Sequence, residues 1–225
     1  WYPGHMTKAK RMMEENIKLI DLVIEIVDAR IPISSRNPDI DSLAVNKARI
    51  ILLNKSDLAD DKITNQWINY FNENNIYCLK LNSRDNSGVK QVNNLIQTAC
   101  ADKIERDKSR GIMNRTIKAM VVGIPNVGKS TFINSFAGKA SAKTGNKPGV
   151  TKGKQWIKLG KNVEMLDTPG ILWPRFENQD VGMRLAMIGS INDNILNIEE
   201  LAIDTINYVY NNYPDNIIER YELDK

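Results

Sequence analysis

Asn54-Lys55-Ser56-Asp57 and Gly123-Ile124-Pro125-Asn126-Val127-Gly128-Lys129-Ser130 are the stretches that decide the fold, and they come in the reverse of their usual order. The second fits G-x-x-x-x-G-K-[ST], in which glycines let backbone N–H groups close around phosphates. Lys129 then reaches the β and γ oxygens, Ser130 offers a hydroxyl to Mg²⁺, and Asn126, Val127, Gly128 and Thr131 complete the phosphate loop. That pattern alone implies a nucleoside triphosphate. In the first stretch Asp57 can accept hydrogen bonds from the N1–H and exocyclic amino group of guanine, which adenine cannot supply. The Lys55 stem covers the base plane, and Asn54 and Ser56 belong to the same loop. The two stretches together select guanine nucleotides, GTP and GDP.

Three further loops extend the pattern. Asp167-Thr168-Pro169-Gly170 follows an apolar run, so Asp167 can hold Mg²⁺ through water and the Gly170 N–H can touch the γ-phosphate. Pro148-Gly149-Val150-Thr151 supplies Thr151 as the residue that completes the Mg²⁺ shell and senses the γ-phosphate. Asn82 and Ser83, at the end of another apolar run, suit a backbone contact to the guanine O6. Apolar runs at 49–53, 76–81 and 118–122 lead straight into these loops, as strands lead into ligand loops in open α/β sheets. Runs at 22–29, 155–159 and 163–166 bring the strands to six, the last two joined by a hairpin at Gly160-Lys161. Helical periodicity falls at 7–20, 60–74, 88–101 and 129–136 between them. The result is a mostly parallel six-stranded α/β sheet flanked by helices.

Common GTPases place the phosphate loop first, so this chain reads as a circularly permuted P-loop GTPase domain. Loops at one sheet edge survive such a rearrangement where the old termini lie close together at the surface. The charged segment 102–115 reads as the connector at the join. Beyond Asp180 strand signals vanish and apolar residues recur at helical spacings, which predicts a permuted GTPase domain at 1–175 and a small helical domain at 176–225. The order of motifs puts that helical domain directly after the Gly170 switch, so switch motion is expected to move it.

The 225 residues, 42% of them hydrophobic, suffice for one full core and a smaller appendage. Residues 1–175 carry 28 basic and 17 acidic side chains, net +11, whereas 176–225 carry 3 and 10, net −7. A basic nucleotide-binding body suits a polyanion such as RNA as well as a merely soluble surface. Residues 138–161 hold seven lysines and no acid, around the segment that senses the γ-phosphate, which favours RNA. Cys78 and Cys100 fit neither a disulfide framework nor a zinc site, and suit a reducing cytosol. The apolar runs are strand-sized, so no membrane span or export signal is expected. The chain opens on Trp1 and ends in YELDK, which reads as a portion of a longer protein.

In WYPGHMTKA, VDARIP, NKSD, NS, GIPNVGKST, PGVTKG and DTPGIL the chain resembles the YlqF/RbgA family, the circularly permuted ribosome biogenesis GTPase A proteins, over roughly residues 1–190. The resemblance implies a cytoplasmic GTPase that serves late assembly of the large ribosomal subunit, binds rRNA and is activated by the subunit; a monomer is the expected state of the chain. Other readings are a nucleotide-gated RNA-binding module with incidental hydrolysis, or service to the small or mitochondrial subunit. Ile171 stands where many GTPases have a water-orienting Gln. The resemblance points to His5 for that role; capping of the 7–20 helix or an RNA contact are its alternatives. Asn126 occupies the place it has in GTPases that use K⁺ beside the phosphates, so K⁺ dependence is a further expectation. Slow intrinsic turnover is expected without a Gln.

Overall fold

A computed structural model of the protein describes residues 4–113, 115–138, 155–159 and 162–223. The chain divides into two compact units, Trp1–Arg175 and Phe176–Lys225. The described residues of the first form a six-stranded sheet: β1 (Leu22–Asp28), β2 (Ala48–Asn54), β3 (Tyr77–Lys80), β4 (Ile117–Val122), β5 (Gln155–Leu159) and β6 (Val163–Asp167). Spatial order is β3-β2-β1-β4-β6-β5, every pairing parallel except that of β5 with β6, which is antiparallel. All seven residues of β1 are buried, as a central parallel strand covered on both faces requires.

Chain order locates the ligand edge. From β1 the chain moves outward through β2 to β3, and from β4 it moves the other way, to β5 and β6. Neighbouring parallel strands whose connections depart to opposite sides open a crevice beyond their carboxyl ends. The crevice here lies beyond Asp28 and Val122, and the loops after β2, β3, β4 and β6 all leave the same edge.

Helices α1 (Gly4–Asn16), α2 (Asp39–Leu43), α3 (Asp61–Glu73), α4 (Val89–Ala99), α5 (Ala101–Ser109) and α6 (Lys129–Ala137) accompany the sheet. Side-chain Oδ1 of Asp60 accepts from the Ile63 N–H and caps α3, whose Phe71 packs with Val27, Ile51, Leu53 and Cys78, with Trp67 and Ile68 alongside. Three boundaries depart from expectation. Helix α1 starts at Gly4 rather than Thr7, so His5 stands inside its first turn, and its end tightens into a 3₁₀ turn at Ile17–Leu19. Such tightening satisfies carbonyls that lack an intrahelical partner. The short α2 lies in a stretch to which the sequence assigns no element, because five residues give no helical period. More than half of the expected connector is helix: α5 places buried Asp107 against Lys103 and Arg115, and only 110–116 links it to β4. The hairpin at Gly160-Lys161 lies outside the described residues.

In the second unit α7 (Gln179–Met187), α8 (Ile198–Asn212) and α9 (Pro214–Tyr221) follow one another. Asn178 and Asn197 cap the first two through side-chain oxygens, and Pro214 opens the third.

Candidate functional site

At the ligand edge the phosphate loop leaves β4 and turns into α6 through two left-handed residues, Asn126 at φ 62° and Gly128 at φ 92°. A Cβ on Gly128 would strike the Asn54 carboxamide, so the backbone approaches where only glycine fits. The turn points N–H groups of the first turn of α6 into the crevice, an arrangement suited to phosphate. Lys129 is buried, its Nζ donating to the Ile124 carbonyl at 2.9 Å. Burial pulls its pKa down to about 8, with Asp167 pushing the other way. An ammonium held in this way is poised for phosphate oxygens.

Asp167 ends β6, is fully buried and has its pKa raised by burial, with Lys129 opposing. Its Oδ2 lies 3.5 Å from the Ser130 hydroxyl, and its Oδ1 has no hydrogen-bond partner. A buried carboxylate oxygen with nothing to accept from, next to a hydroxyl at a phosphate loop, fits a hard cation. Among the described residues no group of three or more His, Cys, Asp or Glu side chains that could hold a metal ion exists. Thr168 donates to the Val121 carbonyl at 2.7 Å and fixes the turn. Gly170 passes so close that a Cβ would lie 2.8 Å from Pro125 and 2.9 Å from Lys129 Nζ. Sequence had brought Asp167, Gly170, Lys129 and Ser130 together as a set, and the structure places them in one cluster. Thr151 and almost all of the lysine-rich segment lie outside the described residues.

Asn54 holds neighbouring loops together. Its carboxamide donates to the Val127 carbonyl at 2.7 Å and accepts from the Ser83 N–H at 3.0 Å and hydroxyl at 2.9 Å. Ser83 in turn accepts, at its carbonyl, from the Ser135 hydroxyl on α6. One side chain thus ties the loops after β2, β3 and β4 into a single rim. Asn82 accepts from the Arg84 N–H at 3.0 Å and donates to Asp85 at 3.1 Å, shaping the loop in which Ser83 sits.

Lys55 adopts the left-handed conformation at φ 60°, unusual outside glycine, and the next N–H, of Ser56, bonds to the Leu81 carbonyl at 3.2 Å. Its Nζ lies 3.1 Å from Asp28, which also grips Arg30 through bonds of 2.8 and 2.7 Å. Burial would push Asp28 up, but Arg30 and Lys55 hold its carboxyl below the usual range. Sequence reading did not assign Asp28 and Arg30 a role; the signal was a charged pair closing a buried strand at the switch point. Asp57 is exposed; Arg30 is held charged chiefly by its hydrogen bonds to Asp28, against burial, with a smaller contribution from Asp57. His5 is exposed near the start of α1, while Met6, Ala9 and Met13 of that helix face inward.

Comparisons with known proteins bear on the family and the fold. A family described as 50S ribosome-binding GTPase matches residues 118–222. Ribosome biogenesis GTPase A of Bacillus cereus is 50% identical over 225 residues, spanning 100% of this chain and 76% of the relative. The crystal structure of GNP-bound YlqF from T. maritima superposes with a TM-score of 0.62 at 29% identity, covering 86% of this chain and 71% of that one. The GDP-bound structure of T. maritima YlqF gives 0.60 at 28% identity, over 84% and 70%.

Proposed function

The chain belongs to the ribosome biogenesis GTPase A family, and from that premise we propose that it is a slow, Mg²⁺-dependent GTPase that binds a large-subunit precursor in its GTP form and leaves after hydrolysis. The observation that carries this reading is the Asn54 tie, which sets the guanine-reading loop against the phosphate loop although 73 residues separate Asn54 from Val127. Asp57 reads the base, Lys55 covers it, and the Ser83 backbone meets its O6. Lys129 and the N–H groups of 126–131 hold the phosphates, and the Gly170 N–H meets the γ-phosphate.

The orphaned Asp167 Oδ1 and the neighbouring Ser130 hydroxyl supply the donor set that Mg²⁺ needs, with Thr151 as a third ligand. Bound there, the ion would neutralise phosphate charge. Ile171 is apolar and buried, so no side chain at that place orients the attacking water; His5 takes that role when α1 meets the precursor. Asn126 helps hold K⁺ at the phosphates. The lysines of 138–161, with Lys8, Lys10 and Arg11, contact rRNA, which makes docking sensitive to salt. No helix among the described residues is long and apolar enough to cross a membrane.

Cosedimentation with separated large and small subunits, in a non-hydrolysable GTP analogue or GDP, tests the reading. Binding to large subunits in the analogue alone is expected; equal binding in both nucleotides, or to small subunits only, would remove the assigned role. Turnover measured on the same samples should rise with large subunits, fall about a hundredfold in His5→Ala if that imidazole acts on the water, and slow when Na⁺ replaces K⁺.

A further inference from the structure

The segment between β1 and α2 is more rigid than its composition suggests. Ser35, fully buried, accepts from the Asp28 N–H at 3.0 Å and donates to the Ile31 carbonyl at 2.9 Å. Arg36 reaches buried Glu25 at 3.1 Å and Asp41 at 2.6 Å, and Arg49 meets the same Asp41 at 2.7 Å. This lattice holds Asn37, which is 1% exposed, in one place. Its Oδ1 accepts from the Asp39 N–H at 3.0 Å, and that bond fixes the orientation of the amide. The Nδ2 therefore faces the Ile171 carbonyl, 3.3 Å away across 134 residues.

Ile171 follows the glycine that approaches Lys129. Its N–H points back at the Gly123 carbonyl, 3.4 Å away, so its N–H and C=O are held from opposite sides, by the root of the phosphate loop and by Asn37. Asp39 also pairs with Lys10 of α1 at 2.8 Å, which extends the connection to the helix that carries His5. We infer that Asn37 is a positioning residue for Gly170: it anchors the far flank of the Asp167–Gly170 turn so that the Gly170 N–H is presented to a γ-phosphate. The inference rests on the GTPase reading above. GDP has no γ-phosphate, so the anchor strengthens GTP binding and hydrolysis and leaves GDP affinity alone.

Asn37→Ser tests this cleanly, because a serine hydroxyl can still accept from the N–H two residues on but cannot reach Ile171. Affinity for a non-hydrolysable GTP analogue should fall about fivefold, the scale of one buried hydrogen bond, with GDP affinity unchanged and the loss in turnover appearing in kcat more than in KM. Equal losses for both nucleotides would mean a merely structural role, and no change in either would remove any role; both overturn the inference. Hydrogen exchange on nucleotide-free protein provides an arm free of nucleotide chemistry: the Ile171 amide should exchange faster in Asn37→Ser, and unchanged exchange overturns the anchor. A wild type that binds no GTP would instead sink the GTPase reading, and the exchange arm tells the two failures apart. Should Asn37→Ser not fold, Lys10→Ala at the half-exposed outer end of the connection should give the same asymmetry between nucleotides at about twofold, and symmetrical affinities there overturn the inference.

Discussion

Asp57 and Lys129 carry opposite charges at opposite ends of the proposed nucleotide, and each yields a prediction. A carboxylate offers guanine two acceptors; a carboxamide offers one acceptor and one donor, which matches xanthine. Asp57→Asn should weaken GTP binding about a hundredfold, since charge-assisted bonds are lost, and make XTP the preferred ligand. Competition between the two triphosphates measures it, and retained GTP preference would place the base elsewhere. Lys129 has its folded pKa lowered from 10.5 to about 8 by burial. Between those values the unfolded chain holds a proton that the folded, nucleotide-free protein has shed, so this group's contribution to stability rises with pH across that window. Such a depression corresponds to about 3 kcal/mol carried by the charged form at neutral pH. Phosphate restores the charge, so GDP binding should take up a proton at about pH 9 and none at about pH 6.5. Calorimetry in buffers of different ionisation heat reads the difference directly.

At the scale of elements, the loops are held by side chains whose partners lie far along the chain. Asn54→Ala removes three hydrogen bonds at once and should cost about 2–4 kcal/mol in chemical denaturation. GTP and GDP affinities should fall together, because the whole rim loosens; a selective loss of GTP affinity would contradict this. The phosphate loop, Asp167–Gly170 and NKSD were legible because each is local, a short run whose residue types follow from phosphate or base chemistry, after an apolar strand. Asn54 as a tie and Asn37 as an anchor were illegible for the converse reason: nothing nearby in sequence announces Val127, Ser83 or Ile171. Strands were read within a residue or two, since continuous apolar runs mark a sheet buried on both faces. Helix α5 was missed as a helix because ADKIERDKS looks solvated, and only the fold shows Asp107 buried between Lys103 and Arg115.

Over the whole molecule, permutation relocates the joins and leaves the ligand edge intact. The new join lies away from that edge, where Asp21 precedes β1 and accepts from the Lys118 N–H at 3.0 Å while pairing with Lys103 at 3.2 Å and Arg115 at 3.8 Å. This acid latches the α5 connection onto β1 and β4. Asp21→Ala should lower stability by about 1–3 kcal/mol, as loss of a largely buried, charge-assisted bond does, yet leave guanine preference untouched; altered nucleotide choice would show that the two ends of the sheet are coupled. The sheet order has a second outcome, in time rather than space. Strands β3, β2 and β1 are contiguous in the sheet and are synthesised first, whereas β4, which covers the open side of β1 from Leu22 to Glu25, follows later. At about 5–20 residues per second of translation, a newborn half-sheet waits several seconds with β1, whose residues all end up buried, unpaired along one side, the kind of edge that recruits stray strands. A nascent chain of this protein is therefore most in need of a chaperone in the interval between synthesis of β3 and of β4, before the phosphate loop has left the tunnel.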